Sequence, residues 1–448
     1  MKQTSSHPVD MLIASACHAP LRGSIRVPGD KSISHRAIML GAIARGITEV
    51  SGFLEGADAL STMHAFRALG VRIDGPDQGR VRIHGVGMHG LSPASHDLDC
   101  GNAGTAMRLM MGLLAGQRFA SILIGDASLS KRPMRRVADP LSRMGAQILT
   151  VDGKPPVSIH PCKALQGIDF SMPMASAQVK SALLLAGLYA QGHTRITEPA
   201  PTRDHTERML GGFGVRVHSE GPQRTLHGGQ QLQACAIDVP ADISSAAFFL
   251  VAASIVPGSD LSLEHVGINP TRTGIIQILE LMGAEIDVLN PREVGGEPVA
   301  DLRVRASDLQ GIEVPQSLVP LAIDEFPVLF VAACFAKGQT IVRGAEELRV
   351  KESDRIAAMA SGLIACGAKV RATPDGMVID GQPDASLNGC TIDSQGDHRI
   401  AMAFSVAAQR ARAPLQILDT SHVATSFPGF VRVAQASGMR IEASSTTA

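Results

Sequence analysis

The chain has 448 residues, of which 45% are hydrophobic and 19% are charged, and its formal net charge is -1. This composition excludes a disordered chain, a collagen-like chain and a protein with the basic excess of a general nucleic-acid binder. Aromatic residues make up only 3% of the chain and Trp is absent, so stacking platforms for single strands are not expected. The length favours two or three domains with aliphatic cores.

The cysteines and the beginning of the chain indicate the compartment. The seven cysteines are scattered and never spaced as CxxC, which argues against a disulfide framework or a zinc knuckle and favours a reducing compartment. We interpret the first residues as a tail followed by a first strand, because their apolar run is short and follows Asp10. No stretch reaches the ~18 uninterrupted apolar residues of a membrane span. The sequence therefore predicts a cytoplasmic protein with no membrane or nucleic-acid partner.

A helix pattern that ends in a glycine and continues into a short strand pattern recurs six times along the chain. Such a glycine is expected to take the left-handed conformation that closes a helix. The glycines follow one another at intervals of 69 to 84 residues: Gly70, Gly145, Gly214, Gly283, Gly367 and Gly438. This near-constant spacing predicts a repeated structural unit.

A second helix pattern alternates with the first and is apolar on nearly all sides, which is typical of a buried helix. In chain order these helices read RAIMLGAIARG, TAMRLMMGLLAG, KSALLLAGLYAQG, SSAAFFLVAASIVPG, FPVLFVAACFAKG and RIAMAFSVAAQR. The polar, Gly-rich stretch 218–231 predicts a surface hairpin after the third. Because six units exceed one hydrophobic core, we expect a domain of repeats one to three (23–237) and a domain of repeats four to six with the N-terminal segment (1–22 and 238–448).

Small, hydroxyl and charged residues precede each buried helix. The start of a helix presents free backbone N–H groups and a partial positive charge, so it favours anions. Ordinary capping by Ser, Thr, Asp or Asn is the simpler explanation, and it accounts fully for ADISSA at 241–246. Capping does not explain the polar residues of other first turns: Lys31, Arg36, Gln178 and Arg399. Cations there oppose the helix dipole, which points to an anionic ligand.

Three further arginines and two carboxylates lie in loop-like stretches. Arg132, Arg203 and Arg355 can each offer parallel donors to a carboxylate or phosphate, although surface salt bridges are the simpler interpretation. Asp324 in IDEFP and Glu352 in RVKESDR could likewise be salt-bridge partners. A carboxylic acid beside bound anions, however, can hold a raised pKa and donate a proton.

The motifs GDKSISHR, GNAGTAMR, SAQVK, RDHTE, NPTR, RVKESDR and DHRIAM occur in an order that resembles the 5-enolpyruvylshikimate-3-phosphate (EPSP) synthase family, in particular its class II branch. The resemblance runs from about Leu21 to the C-terminus. It implies an α/β fold of two domains, an inside-out α/β barrel in which each domain has three βαβαββ repeats around buried parallel helices, with the active site in the cleft between the domains.

The resemblance also implies a reaction of the shikimate pathway, which leads to chorismate and the aromatic amino acids. Phosphoenolpyruvate donates its enolpyruvyl group to the 5-hydroxyl of shikimate 3-phosphate through a tetrahedral addition–elimination intermediate, and phosphate leaves. No metal or organic cofactor is implied, and the family is typically monomeric.

The resemblance assigns roles to individual residues. The expected catalytic residues are Lys31, Asp324 and Glu352. The expected shikimate 3-phosphate ligands are Lys31, Ser32, Arg36, Ser176, Ala177 (through its backbone), Gln178, Arg203, Asp324 and Lys351. The expected phosphoenolpyruvate ligands are Lys31, Asn102, Gly104, Arg132, Gln178, Arg355 and Arg399.

Two positions bear on how far the resemblance extends. Many family members carry Lys in the late stretch that reads ATSFP here, and Thr425 stands at or near that position. The resemblance therefore leaves open whether this chain makes the phosphate contact of that Lys. In the family, glycine at the position of Gly104 leaves room for the competitive inhibitor glyphosate, whereas alanine crowds it. The sequence therefore predicts a glyphosate-sensitive enzyme.

Two alternative functions remain on the same scaffold. The first is UDP-N-acetylglucosamine enolpyruvyl transferase, which carries a Cys in a mobile loop where this chain reads GDASLSKRPM without one. The second is a non-catalytic phosphometabolite-binding protein, which could lack the acids at Asp324 and Glu352. Phosphate release with defined acceptors distinguishes these functions.

Overall fold

The computed structural model of the chain describes residues 9–384 and 386–446, which divide into two compact units. The N-terminal unit consists of Gly29–Pro240 and Glu293–Pro298. The C-terminal unit consists of the described residues of Met1–Pro28, Ala241–Arg292 and Val299–Ala448. The expected N-terminal tail lies largely outside the described residues, and the expected first strand begins at Val9.

The chain opens with two strands of the C-terminal unit, β1 (Val9–Ser15) and β2 (Arg22–Ile25). The helices of the N-terminal unit are α1 (Lys31–Ile43), α2 (Ala57–Ala68), α3 (Gly104–Ala115), α4 (Arg135–Arg143), α5 (Ala177–Gly187) and α6 (His205–Gly212). Its strands are β3 (Arg45–Ser51), β4 (Arg72–Asp77), β5 (Arg80–Val86), β6 (Leu98–Asp99), β7 (Ser121–Ile124), β8 (Gln147–Val151), β9 (Lys154–His160), β10 (Asp169–Ser171), β11 (His193–Thr197), β12 (Val217–Glu220), β13 (Gln223–His227) and β14 (Ala236–Asp238).

The second half of the chain supplies the rest of the C-terminal unit. Its helices are α7 (Ile243–Ile255), α8 (Gly274–Leu281), α9 (Phe326–Cys334), α10 (Arg355–Ala365), α11 (His398–Ala407), α12 (Val423–Ser426) and α13 (Phe430–Ala436). Its strands are β15 (Asp260–Gly267), β16 (Glu285–Val294), β17 (Glu297–Arg305), β18 (Gly338–Val342), β19 (Lys369–Thr373), β20 (Gly376–Gly381), β21 (Thr391–Asp393), β22 (Leu415–Leu418) and β23 (Arg440–Thr446). Short 3-10 turns cover Leu129–Lys131, Gln316–Leu318, Glu346–Val350 and Ala408–Arg410.

The described strands of the N-terminal unit form three sheets of one design. Their orders are β14-β3-β5-β4, β6-β7-β9-β8 and β10-β11-β13-β12. In each sheet the first pair is parallel and the other two pairs are antiparallel. Each sheet therefore combines one parallel pair with an antiparallel hairpin, which is β4–β5, β8–β9 or β12–β13. The hairpin of β12 and β13 confirms the prediction made for 218–231.

Among the described residues of the C-terminal unit, the sheets have the orders β16-β17-β15-β2, β18-β20-β19 and β21-β22-β1-β23. The first and the last again contain one parallel pair, β2 with β15 and β21 with β22, whereas the three strands of the middle sheet pair antiparallel. Strand β1 completes the last of these sheets, because it pairs antiparallel with both β22 and β23. The predicted repeat is therefore present in both units.

Each unit has its own hydrophobic cluster, built around three of its helices. These are α1, α3 and α5 in the N-terminal unit and α7, α9 and α11 in the C-terminal unit. Every residue of α7 and α9 is buried, as their all-round apolar sequences predict. Helices α3 and α5 approach so closely that a Cβ at Gly112 would lie 2.0 Å from the carbonyl oxygen of Ala182. The buried helices of the prediction, and its α/β class, are confirmed.

Six other helices end just before the glycines identified in the sequence, and these helices are α2, α4, α6, α8, α10 and α13. The six glycines have φ between +83° and +99°, a region that L side chains rarely adopt. After α2, for example, Gly70 N–H donates to the Arg67 carbonyl and Val71 N–H donates to the Phe66 carbonyl, at 3.0 and 3.1 Å. This pair of bonds is the Schellman motif, which satisfies carbonyls at the helix end.

Within 9–384 and 386–446, no helix has both the length and the apolar character needed to cross a bilayer.

Candidate active site

The start of α1 carries three of the expected substrate-binding residues. Asp30 caps the helix, with its Oδ1 accepting a hydrogen bond from Ile33 N–H at 2.8 Å. Lys31 follows, and its Nζ lies 2.8 Å from Oδ2 of Asp58 on α2. The Lys31 side chain is 20% exposed, so it can reach a ligand while Asp58 balances its charge. Ser32 stands next to it and is half-buried.

Arg36 is buried one turn further along α1. Its Nε donates to Thr206 Oγ1 at 2.7 Å, one terminal nitrogen donates to Ser181 Oγ at 2.8 Å, and the other donates to the Ser32 carbonyl at 2.9 Å. Burial lowers the pKa of the Arg36 guanidinium to about 10, against the opposing charge of Glu207. The side chain therefore stays charged at neutral pH, and α1, α5 and α6 fix its orientation.

The turn before α3 brings together three expected phosphoenolpyruvate ligands. Arg132 donates to Asn102 Oδ1 at 2.6 Å and to the Asn102 carbonyl at 3.3 Å, and Asn102 Nδ2 donates to Asp126 Oδ2 at 2.7 Å. Gly104 is the first residue of α3, where a Cβ would lie 3.2 Å from an Arg132 nitrogen. The guanidinium thus lies against the backbone at the start of the helix.

The start of α5 places the expected Ser176, Ala177 and Gln178 in sequence. Ser176 caps the helix through its side chain, and Ala177 is the first helical residue. Gln178 Oε1 accepts a hydrogen bond from Arg108 at 2.7 Å, and its Nε2 donates to Thr105 Oγ1 at 3.0 Å. Gln178 therefore links α5 to α3, and its amide orientation is set by both partners.

Arg203 is half-buried in the loop that leads into α6. A buried ion cluster supports this loop. The fully buried Lys180 lies 3.0 Å from Glu198 and 2.8 Å from Glu207, and its Nζ also donates to the Thr202 carbonyl at 3.3 Å. Because a buried charge needs nearby partners, this cluster fixes the backbone on both sides of Arg203.

In the C-terminal unit, the guanidinium of Arg355 is the centre of a carboxylate cluster. Its nitrogens lie 3.2 Å from Asp324 Oδ1, 2.5 Å from Glu352 Oε2 and 2.8 Å from Asp397 Oδ2. Burial alone would lower the pKa of Arg355, but the charges of Asp397, Glu352 and Asp324 raise it. The Arg355 side chain is 1% exposed, whereas those of Asp324 and Glu352 are 14% and 19% exposed.

Two further cations surround Asp324. Lys351 Nζ lies 3.5 Å from Asp324 Oδ1 and 2.9 Å from Glu347 Oε1. Arg399, in the first turn of α11, donates to the Asp324 carbonyl at 2.9 Å, and its own N–H donates to Asp397 Oδ1 at 2.9 Å. All the site residues expected in this unit are therefore neighbours: Asp324, Lys351, Glu352, Arg355 and Arg399.

The capping interpretation of ADISSA is correct but incomplete. Asp242 Oδ1 accepts a hydrogen bond from Ser244 N–H at 2.8 Å, as a cap does. The same oxygen also lies 3.0 Å from an Arg272 nitrogen, and Ser244 Oγ is hydrogen-bonded to Glu325, the residue after Asp324. The first turn of α7 therefore belongs to a buried polar network beside the expected site.

The sequence interpretation missed several side chains that hold the expected site residues. They are Asp58, Arg108, Ser181, Thr206, Glu325 and Asp397. Arg108, Thr206, Glu325 and Asp397 stand inside the motifs GNAGTAMR, RDHTE, IDEFP and DHRIAM, so position within a motif was the available signal. Asp58 and Ser181 carry no comparable signal, because they stand outside these motifs.

Thr425 lies in α12, where its Oγ1 donates to the His422 carbonyl at 2.6 Å. This hydroxyl is engaged locally in the helix. Across the residues that the structure describes, no group of three or more His, Cys, Asp or Glu side chains is arranged to hold a metal ion.

Comparison with known proteins identifies the family. The model of the EPSP synthase family, described as 3-phosphoshikimate 1-carboxyvinyltransferase, matches residues 16–434. A 3-phosphoshikimate 1-carboxyvinyltransferase of Methylococcus capsulatus is 61% identical over 98% of this chain and 100% of its own length. The enzyme of the same name from Alkalilimnicola ehrlichii is 64% identical over 94% of each chain.

The fold agrees with this assignment. A solved structure of EPSP synthase from Acinetobacter baumannii superimposes with a TM-score of 0.88 at 55% identity, covering 97% of this chain and 100% of that one. The expected enolpyruvyl transferase fold, the expected enzyme class and the expected family are thereby confirmed. The chain belongs to the EPSP synthase family of 3-phosphoshikimate 1-carboxyvinyltransferases.

Proposed function

We propose that the chain transfers the enolpyruvyl group of phosphoenolpyruvate to the 5-hydroxyl of shikimate 3-phosphate, and that the residues described above perform this transfer. The observation that carries the proposal is the position of Asp324 and Glu352 on one buried guanidinium, that of Arg355. The reaction needs a base and an acid. Two partly exposed carboxylates on separate loops, held by one cation, are suited to these roles.

In the addition step, Asp324 takes the proton of the 5-hydroxyl while that oxygen attacks C2 of phosphoenolpyruvate. Glu352 donates a proton to the methylene carbon C3, which gives the tetrahedral ketal. In the elimination step, Glu352 takes a proton back from C3 as the bond from C2 to the phosphate oxygen breaks. The departing phosphate takes up the proton that Asp324 removed from the 5-hydroxyl, which returns Asp324 to its ionised form. The products are the enolpyruvyl ether and inorganic phosphate, so atoms and charges balance without a metal or redox cofactor.

The two substrates bring four anionic groups, and the expected ligands can neutralise them. Lys31, Ser32, Arg36, Ser176, Ala177, Gln178, Arg203, Asp324 and Lys351 would hold shikimate 3-phosphate. Lys31, Asn102, Gly104, Arg132, Gln178, Arg355 and Arg399 would hold phosphoenolpyruvate. Hydrogen bonds to charged groups contribute about 1.5–3 kcal/mol each, which can offset the cost of bringing the anions together.

For phosphoenolpyruvate to bind, Arg355 must exchange carboxylate partners for the substrate. Its guanidinium is occupied by three carboxylates, and a phosphoenolpyruvate anion would compete with Asp324 and Glu352 for its donors. Substrate binding would thereby release the Glu352 carboxyl for proton transfer with C3.

The test is release of phosphate from phosphoenolpyruvate when shikimate 3-phosphate is present. Replacing Glu352 by Gln should lower kcat by about 10²–10⁴-fold, the range of general acid–base catalysis, while shikimate 3-phosphate still binds in a calorimetric titration. The matched control is Glu346→Gln, an exposed glutamate on the 3-10 turn Glu346–Val350 that precedes Glu352, which should leave kcat unchanged. Equal activity of wild type and Glu352→Gln would contradict the proposed role.

The two alternative functions have distinct outcomes in the same assay. Phosphate release with UDP-N-acetylglucosamine as the acceptor, and none with shikimate 3-phosphate, would favour the UDP-sugar transferase. Binding of both substrates without any phosphate release would favour a non-catalytic binding protein. The loop GDASLSKRPM and the pair Asp324 and Glu352 support shikimate 3-phosphate as the acceptor.

The proposal extends to the inhibitor, the oligomeric state and the compartment. We propose that glyphosate competes with phosphoenolpyruvate and that the protein acts as a cytoplasmic monomer. Analytical ultracentrifugation at assay concentration measures the oligomeric state, and a mass of twice the 46.9 kDa of the chain would contradict the monomer.

A further inference from the structure

Asp324 and Glu325 are consecutive carboxylates with different environments. The Asp324 side chain is 14% exposed and contacts Lys351 and Arg355. The Glu325 side chain is 0% exposed and stands immediately before α9. A fully buried carboxylate is costly unless cations and donors surround it, so its presence at this position calls for a physical explanation.

The environment of Glu325 contains one cation of the expected site. Arg399 has a terminal nitrogen 3.7 Å from Glu325 Oε1, and that same nitrogen donates to the Asp324 carbonyl at 2.9 Å. Glu325 Oε2 is buried without a hydrogen-bond partner. Residues 324 and 325 therefore direct one carbonyl and one carboxylate at the same terminal nitrogen of Arg399.

A second set of contacts fixes the Glu325 carboxylate itself. Arg272 donates to Ser244 Oγ at 2.8 Å and to Asp242 Oδ1 at 3.0 Å. Arginine has no acceptor, so the Ser244 hydroxyl hydrogen is directed elsewhere, and Glu325 Oε1 accepts it. The order of the network is Asp242, Arg272, Ser244, Glu325 and Arg399, and every member is buried.

We infer that Glu325 is a positioning residue for Arg399: its carboxylate, held by Ser244 and Arg272, orients the Arg399 guanidinium toward phosphoenolpyruvate. The inference rests on the proposed function, in which Arg399 binds that substrate. It gives a role to Arg272 of the motif NPTR and to Ser244 of ADISSA, neither of which the resemblance assigns to a substrate. Glu325 itself takes no part in proton transfer.

The first experiment replaces Glu325 by Gln, which keeps the shape of the side chain and an oxygen for Ser244 but removes the charge that faces Arg399. We expect the KM for phosphoenolpyruvate to rise about tenfold or more, with the KM for shikimate 3-phosphate unchanged within a factor of two. A purely structural role would instead reduce the fraction of active protein, lowering kcat with both KM values unchanged. That result would overturn the inference. The control is Glu280→Gln, an exposed glutamate on α8.

The second experiment is a double-mutant cycle with Arg399→Lys, because residues that act through one another are not additive. If Glu325 acts through Arg399, then Glu325→Gln should change the KM for phosphoenolpyruvate far less in the Arg399→Lys background than in the wild type. Fully additive effects would overturn the inference. Ser244→Ala, which leaves both charges in place, should give a smaller rise in the same KM and serves as the variant of choice if Glu325→Gln does not fold.

The assay separates failure of this inference from failure of the proposed function. Wild-type protein that releases no phosphate with shikimate 3-phosphate would refute the proposed function before any variant is made. Wild-type protein that is active, together with a Glu325→Gln variant whose KM for phosphoenolpyruvate is unchanged, would refute only the positioning role.

Discussion

Nε of Arg355 lies 2.8 Å from Oδ2 of Asp397, and neither side chain is more than 1% exposed. The other oxygen of Asp397 accepts the backbone N–H of Arg399, so one carboxylate caps α11 and holds the first residue of α10. Oδ1 of Asp397 also accepts a longer hydrogen bond, of 3.5 Å, from a terminal nitrogen of Arg355. Asp397 therefore anchors Arg355 mainly through Nε, whereas the shortest contacts of the terminal nitrogens are those with Asp324 and Glu352, at 3.2 and 2.5 Å.

Replacing Asp397 by Asn should destabilise the protein strongly. Breaking a buried ion pair by removing one partner costs about 3–5 kcal/mol. Because Arg355 keeps two other carboxylates, we expect the lower end, about 3 kcal/mol of the free energy of unfolding, measured by urea denaturation. Asp308→Asn, at an exposed position of the same unit, is the control and should change stability by less than about 0.5 kcal/mol. A loss that small for Asp397→Asn would show that the pair does not anchor the helices.

His35 should make stability depend on pH below neutrality. Burial, together with the nearby charges of Lys31 and Arg36, lowers the pKa of His35 from 6.5 to about 3. Between these values the unfolded chain binds a proton that the folded protein does not, so stability falls as the pH falls. From pH 7.5 to pH 5 this amounts to about 2 kcal/mol.

The measurement is urea denaturation of wild type and His35→Gln at both pH values. The variant should lose about 2 kcal/mol less than the wild type over this range, whatever its absolute stability, because the difference between the two pH values reports the proton. Identical losses in the two proteins would mean that His35 does not carry this dependence.

The patterns that predicted the fold correctly are local in sequence. A helix that is apolar on all sides, or a helix that ends at a left-handed glycine such as Gly70, is specified within about 15 residues, so chain order alone revealed the repeat. The partners of the site residues are not local. Asp397 and Arg355 are 42 positions apart in the sequence, and Asp58 and Lys31 are 27 positions apart. Only the packed fold brings these partners together.

The same reasoning explains why ADISSA was only partly understood. Capping by Asp242 depends on Ser244, two residues away, and can be expected from sequence. The contact of Ser244 with Glu325 spans 81 positions and depends on how α7 and α9 pack. Motif neighbours such as Thr206 were present in the sequence, but their contact with Arg36 required the geometry of α1, α5 and α6.

Thr206 should control the affinity for shikimate 3-phosphate through Arg36. Its hydroxyl accepts a hydrogen bond from Arg36 Nε at 2.7 Å and is itself bonded to Ser181 at 2.8 Å. Thr206→Val keeps the shape but leaves a buried charged donor without its acceptor, which costs about 1.5–3 kcal/mol. We expect at least a tenfold rise in the KM for shikimate 3-phosphate and little change in the KM for phosphoenolpyruvate.

Steady-state kinetics with each substrate varied in turn measure the effect of Thr206→Val. The control is Thr150→Val on β8, a partly exposed position of the same unit, where both KM values should stay at the wild-type level. If both KM values rise together in Thr206→Val, then the substitution disturbs the unit as a whole and the link through Arg36 is wrong.

Gly104 should decide the response to glyphosate. A Cβ at this position would lie 3.1 Å from an Arg108 nitrogen and 3.2 Å from an Arg132 nitrogen, so both guanidinium groups would have to move by a few tenths of an ångström. Since Arg132 is an expected phosphoenolpyruvate ligand, Gly104→Ala should raise the KM for that substrate moderately. It should raise the inhibition constant of glyphosate further, by about tenfold or more, which corresponds to about 1.4 kcal/mol.

The matched control is Gly211→Ala, because a Cβ at Gly211 meets no atom within 4 Å. Wild-type turnover that persists at millimolar glyphosate would contradict the expected sensitivity, and an unchanged inhibition constant in Gly104→Ala would contradict the steric role of this glycine.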